Sequence, residues 1–285
     1  WNRVFDDMTT DKAWVQDVSM GGLGPFKRAG EGESVKYDVL VEGTPSTYVL
    51  SKFHTGFALT EEAEWYDTIW PLLQNGTSAI AVSNIHSMEM ICADLLNNAF
   101  SSSKYVGGDG KAMLASDHPL LRPDAAQVSG STSYRNRPAI DHPVSEAGFE
   151  QAVIDIKRMV DESGFFSSIE PDQLVIPTER EFDTARVQKS MGRVGTADND
   201  TNALKALGLL QKDPIVWKYL TSTTAWFVKT RAYAGPGLKC YRNRKANPTP
   251  KTWIDNANGD TLVRSRFAVA PGWSNPRSMY GSPGA

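Results

Sequence analysis

Cysteine is nearly absent from this chain. Cys92 and Cys240 are the only two, too few for a disulfide framework, and they point to a reducing compartment. Histidine is almost as scarce: His54, His86, His118 and His142 are the only four. None stands at metal-ligand spacing from another His or Cys, so no metal or cofactor site is expected. Long apolar runs are missing as well. The hydrophobic stretches are broken by polar residues well short of the roughly twenty that a membrane span needs. The first residues show no basic segment leading into an apolar one, so no signal peptide is expected.

The signatures of catalysis fail one by one. Gly110-Lys111 hints at a phosphate-binding loop, but Ala112 stands where Ser or Thr is required and Tyr105 where the first Gly belongs. Asp198, Asp200 and Asn202 open like a calcium loop, yet Ala203 and Leu209 fill the places of its turn glycine and bidentate glutamate. No GxGxxG, HExxH or GxSxG occurs. Cys92 with His86 could make a nucleophile pair. Six residues apart on a helix they face different ways, and Cys92 lies on an apolar stripe, where cysteine behaves as a small hydrophobe.

What remains is a chain of 285 residues with 40% hydrophobic and 22% charged residues, enough to bury a real core. The net charge of −3 hides an asymmetry. From Trp1 to Glu64 there are eleven acids against six bases, a net −5; from Lys205 onward thirteen bases face three acids, a net +10. This fits solvated faces of one monomer. It fits equally well identical copies packing head to tail, acidic arms on basic neighbours, or a basic surface facing a packaged polyanion. Aromatic and basic residues interleave over Lys239–Lys245, but no sequence-specific nucleic-acid motif accompanies them.

The pattern along the chain is mixed α+β, without βαβ rhythm or internal repeat. Residues 1–26 have scattered aromatics, little periodicity and a glycine-rich end, which predicts an extended arm. Val35, Tyr37, Val39 and Val41 alternate with polar residues, Glu42 to Pro45 has turn chemistry, and Ser46 to Phe53 reads as a return strand; together they predict a projecting hairpin. Thr60-Glu61-Glu62 opens a helical region that Pro71 and Asn75-Gly76 interrupt. A long helix is expected from Ser78 to Phe100 on a stripe of Val82, Ile85, Cys92, Leu95 and Ala99, with Met88 beside it. Residues 101–144 read as irregular. A second helix starts at Ser145, its apolar face made of Phe149, Ala152, Val153, Ile156, Met159 and Val160. A strand at 174–176, a helix from Pro177 to Met191 and a polar loop at 192–202 follow. Strands at 215–220 and 225–228 flank a Thr221–Thr224 turn, and alternating strands fill the tail.

Several blocks, in order, resemble one family. Glu31 to Asp38 followed by Gly56 to Glu62, Leu95 to Phe100, and Asp109 to Pro119 are similar to segments of tailed-phage major capsid proteins, especially Mu-like and siphophage head subunits. So are Leu174 to Pro177, Gly195 to Lys205, Gly272 to Arg277 and Gly281 to Ala285. The resemblance implies the Hong Kong 97-type α+β fold: an N-arm (1–26), an E-loop hairpin (27–60), a peripheral domain with a long spine helix (61–145 and 237–285) and an axial domain (146–236). It implies inter-subunit contacts by the E-loop residues Val35, Tyr37, Val39, Val41, Tyr48 and Lys52, and a loop at the capsomer axis carrying Arg193, Thr196, Asp198 and Asp200.

The function so implied is structural and not enzymatic. The chain would assemble with itself into hexamers and pentamers, and these into an icosahedral shell around double-stranded DNA held without sequence specificity. Portal, scaffold and decoration proteins would be its partners, the host cytoplasm its place of assembly, the virion its destination, and no membrane would be involved. Some relatives crosslink subunits through a Lys–Asn isopeptide bond; the hairpin tip, Glu42 to Ser46, has no lysine, so a non-covalent shell is expected. Two alternatives stand beside this one: an encapsulin-like nanocompartment shell of the same fold, and a cytosolic hydrolase using Cys92.

Overall fold

The computed structural model describes residues 1–66, 69–122, 132–192, 201–231 and 237–284. The chain runs β1 (Asp6–Thr10), β2 (Trp14–Met20), β3 (Glu42–Val49), β4 (Ser51–Leu59), α1 (Glu61–Tyr66) and α2 (Ile69–Asn97). Then come β5 (His118–Pro119), β6 (Ser133–Tyr134), α3 (Glu146–Lys157), β7 (Glu170–Ile176), α4 (Glu181–Lys189) and α5 (Ala203–Ala206). It ends with β8 (Ile215–Val216), β9 (Trp226–Arg231), β10 (Leu238–Asn243), β11 (Lys251–Ile254), β12 (Thr261–Trp273) and β13 (Met279–Ser282). Two compact units result: Trp1–Val15, Thr47–Ala93 and Lys239–Gly272 form one; Gln16–Ser46, Asp94–Leu238 and Trp273–Ala285 form the other.

The first unit is built on a five-stranded sheet, with β12 pairing β10, β11 and β4, and β1 joining β10 in parallel. Its helix is α2. The apolar stripe expected of that helix needs correcting, because Val82 and Ile85 are 52% and 60% exposed. The inward line runs instead through buried Ile80, Met88 and Cys92 and half-buried Gly76 and Asn84, at four-residue steps. Polar Asn84 in the middle hides that line from a hydrophobic pattern.

Nor do Pro71 and Gly76 break the helix. Pro71 falls in the first turn, where its missing N–H has no helical partner to lose. At Gly76 a Cβ would lie 2.4 Å from Cζ of Phe57, so glycine lets β4 approach the helix closely. Leu72–Asn97 is long and apolar enough by length and composition to cross a membrane, a property shared with core helices of globular proteins.

The second unit packs α3 against the sheet β13-β9-β7-β8. Ser145 caps α3 as expected, its hydroxyl accepting from the Gly148 N–H at 3.1 Å. All six expected apolar positions are buried, but only Phe149, Ala152, Val153 and Ile156 lie on α3; the helix ends at Lys157, and Val160 forms a β-bridge with Phe166. Phe149 and Trp226 meet edge to face, 5.1 Å between ring centres, and full burial of each large side chain stabilises by about 1.5–3 kcal/mol. The helix expected over 177–191 is a 3-10 turn at Thr178–Arg180 followed by α4. The strands expected around Thr221–Thr224 do not pair with each other: β7 lies between them, parallel to β8 and antiparallel to β9.

The hairpin expected from Val35 to Phe53 is not formed either. Residues 24–41 carry no strand, β3 pairs with β2, and β4 pairs with β12. The physical reason is that the alternating set Val35, Tyr37, Val39 faces solvent within a single chain, and a ribbon with nothing to bury its apolar face is marginal in water. The strands β1 and β2 lie in the segment expected to be an extended arm of little periodicity. On β2 the half-buried face is Val15, Asp17 and Ser19, mostly polar, so period-2 hydrophobicity never appears. The described residues between 101 and 144 are irregular as expected, apart from the short β5–β6 bridge.

Candidate assembly surfaces

Beyond β2 and β3 the chain forms a long loop clasped at its base. The Gly21 N–H donates to the Val41 carbonyl at 2.8 Å. One step further out, Asp38 accepts from the Gly24 N–H at 2.6 Å and from both terminal nitrogens of Arg122, at 2.6 and 3.0 Å. Arg122 and the Ser163 hydroxyl also donate to the Gly22 carbonyl. A Cβ on residue 24 would stand 3.0 Å from the Asp38 carboxylate, so glycine suits this approach. The Arg122 guanidinium, helped by the Gly24 and Val39 N–H groups, holds the Asp38 carboxyl well below the usual carboxylate range. Outside the clasp the tip meets water: Phe26 is fully exposed, and Val35, Tyr37 and Val39 are 73%, 93% and 70% exposed. Apolar side chains gathered on one loop in this way make it a candidate interaction surface.

A second surface lies on the sheet of the first unit. In register, Lys52 stands opposite Ala268, His54 opposite Arg266 and Gly56 opposite Arg264, while Lys251 of β11 faces Arg264 from the other side. Opposed residues share a face. Lys52, His54, Lys251, Trp253, Arg264 and Arg266 therefore line one side. Phe53, Phe57, Val263 and Phe267 line the other, with Phe53 stacked on Phe267. The strands β4, β11 and β12 contain no acid. Arg264 lies over the Trp253 ring at 4.7 Å, and among the described residues none of the four Lys and Arg side chains has a carboxylate partner. On β10, by contrast, Arg242 is matched by Asp7 of β1.

The buried polar groups of the second unit meet at Asn136, which the sequence did not single out. Its amide donates to the Met113 and Pro276 carbonyls at 2.8 and 2.9 Å; its oxygen accepts from the Ala115 N–H at 2.9 Å and lies 3.1 Å from His118 Nε2. The other His118 nitrogen meets Asp109 at 2.6 Å. Burial pushes the Asp109 carboxyl up, but the His118 and backbone hydrogen bonds outweigh it and leave the group below its ordinary value. Nearby, the Arg277 guanidinium lies 3.6 Å over the Tyr134 ring and pairs with Glu162. His118 is wholly buried with both nitrogens engaged, so the cluster holds loops together and offers no access to a substrate.

The cysteines do come together. The Cys92 and Cys240 sulfurs are 3.9 Å apart, both free and buried. The contact with Cys240 and burial push the Cys92 thiol far up, the reverse of an activated nucleophile. This removes the chemical basis of the Cys92 hydrolase alternative. Among the described residues no three His, Cys, Asp or Glu side chains converge as a metal site.

Of the sequence-based contact residues, Val35, Tyr37 and Val39 lie exposed on the clasped loop and Val41 is half-buried at its base. Lys52 is exposed on the cationic sheet face. Tyr48 is 4% exposed and packs edge to face on Tyr241, 4.8 Å away, inside its own unit. Arg193, Thr196, Asp198 and Asp200 lie outside the described residues. The cationic face was legible only as a basic excess in the tail; strand register gathers it.

The phage capsid protein family matches residues 43–282. No curated relative matches in sequence. Solved structures share the fold at low identity. The capsid of a native GTA particle superposes at TM-score 0.54 with 12% identity, over 98% of this chain and 87% of that one. The mature capsid of bacteriophage PhiM1 gives 0.54 and 10%, over 97% and 83%. A Microbacterium phage Oxtober96 chain gives 0.53 and 9%, over 99% and 88%. With the Hong Kong 97-type α+β fold in place and more than four-fifths of its length matched, this chain belongs to the phage capsid protein family.

Proposed function

We propose that this chain closes, as hexamers and pentamers, into an icosahedral shell around double-stranded DNA. In that shell residues 1–26 serve as N-arm and 27–60 as E-loop. Residues 61–145 and 237–285 serve as peripheral domain, and 146–236 as axial domain with the 192–205 loop near the capsomer axis. Portal, scaffold and decoration proteins join it in the host cytoplasm, and DNA is held through charge without sequence readout.

The observation that carries this reading is the clasped loop, whose apolar tip has nothing to cover it in a single copy. A fold that ends its loop this way is complete only against a neighbour. The purified full-length chain, followed by light scattering and negative-stain microscopy, is expected to form closed particles as concentration rises. A chain that stays a compact monomer at every concentration and salt level overturns the reading. The subunits join non-covalently, so boiled particles run on a denaturing gel as one monomer band; a ladder of multimers refutes that part.

A further inference from the structure

The cationic face of the β4–β12–β11 sheet has no counterpart of opposite sign on its own strands. Lys251 and Arg264 stand directly opposite each other in register, a like-charge juxtaposition that weakens a sheet unless an anion covers it. With Arg266 and Lys52 they fill a strip about 14 Å long and two to three strands wide.

The same unit carries the complement. Helix α1 is Glu-Glu-Ala-Glu-Trp-Tyr, with acids at Glu61, Glu62 and Glu64 and no base. Glu61 and Glu64 turn toward their own β11–β12 connection: the Glu61 N–H donates to Asp260 and Glu64 accepts from Thr261. Glu62 and Glu64 are nonetheless exposed, Trp65 and Tyr66 are 66% and 86% exposed, and among the described residues no cation pairs with the three acids.

We propose that α1 of one copy docks on the outer β4–β12–β11 face of a second copy. Glu62 and Glu64 meet Arg264, Arg266, Lys251 and Lys52, and Trp65 and Tyr66 cover the exposed edge of Trp253. Each copy offers one surface of each kind, so the contact is heterologous and closes into a ring under rotational symmetry. A polyanion such as DNA would satisfy the cations but would leave α1's acids and two exposed aromatics unused, so the second copy is the better fit. The proposal rests on the self-assembly reading above.

Charge reversal tests it within one chain. R264E/R266E and E62K/E64K are each expected to raise the concentration needed for half-assembly about tenfold, and to flatten its dependence on salt. The fourfold variant carrying both reversals restores complementarity between copies and is expected to assemble within about threefold of the wild type. A fourfold variant no better than either pair overturns the proposal. So do R264E/R266E particles that assemble like the wild type but release their DNA at lower salt, which assigns the face to nucleic acid. Far-UV circular dichroism checks folding; if the reversed chains do not fold, R264Q/R266Q takes their place and is held to the same loss of assembly. A wild-type chain that never assembles refutes the self-assembly reading instead, and the docking with it.

Discussion

Replacing Asn136 by leucine removes four interactions at one wholly buried position while nearly conserving volume. The Met113 and Pro276 carbonyls lose their donor, the Ala115 N–H loses its acceptor, and His118 loses a partner. A buried polar group left without a partner costs about 1–3 kcal/mol; the two carbonyls belong at the low end because each has a second lone pair. The added apolar contact of leucine offsets part of the sum, leaving a loss of about 4 kcal/mol, close to a thousandfold in the folding equilibrium. Thr184 supplies the control. It is wholly buried and, among the described residues, its hydroxyl has no hydrogen-bond partner, so Thr184→Val gives up no bond and is expected between unchanged and about 2 kcal/mol more stable than the wild type. Urea unfolding of the unassembled protein, followed by tryptophan fluorescence with Trp226 buried in the same unit, reads both as midpoint shifts at unchanged slope. An N136L variant within about 1 kcal/mol of wild type refutes the idea that these bonds tie the loop at 113–118 to the C-terminal segment.

Three further outcomes follow from the geometry. Gly76→Ala gains up to about 1 kcal/mol of helix propensity but drives a methyl into the Phe57 ring, so net destabilisation of about 1–2 kcal/mol is expected, relieved in a G76A/F57L double variant; a stabilised G76A contradicts the close approach. Iodoacetamide is expected to leave Cys92 and Cys240 untouched in the native protein and to label both after unfolding, because burial and mutual contact keep the Cys92 thiol protonated; native labelling read by mass spectrometry refutes this. The Asp38 carboxyl is held below its unfolded value, so its contribution is present above the ordinary carboxylate range and is lost only as pH falls through the lower folded value. Hydrogen exchange at the Gly21 and Gly24 amides is accordingly expected to be slow at neutral pH and faster in Asp38→Asn, and D38N amides as protected as the wild type's remove the clasp from the account.

Much of the second unit was legible because its signals are local. The Ser145 cap and the three- and four-residue spacing from Phe149 to Ile156 fix α3 and its buried face without help from distant chain. The first unit was read less well for identifiable reasons. β2 turns polar residues inward, Asn84 interrupts the buried line of α2, and Gly76 acts through Phe57, a residue nearly twenty positions away. The strand inferred from Val35 to Val41 failed because its alternation answers to no surface within the chain.

By itself the sequence determined the mixed α+β class, the absence of a catalytic or metal motif, the charge imbalance and the ordered blocks that resemble phage capsid subunits. These depend on residue identity and short spacing, which survive without coordinates. Only the tertiary structure decided that Asp38 meets Arg122, that Cys92 lies against Cys240, that Asn136 joins three segments, and that four scattered cations share one sheet face. Each depends on strand register or on contacts between distant residues, 84 positions apart for Asp38 and Arg122, 148 for Cys92 and Cys240 and 140 for Asn136 and Pro276, which no local pattern encodes.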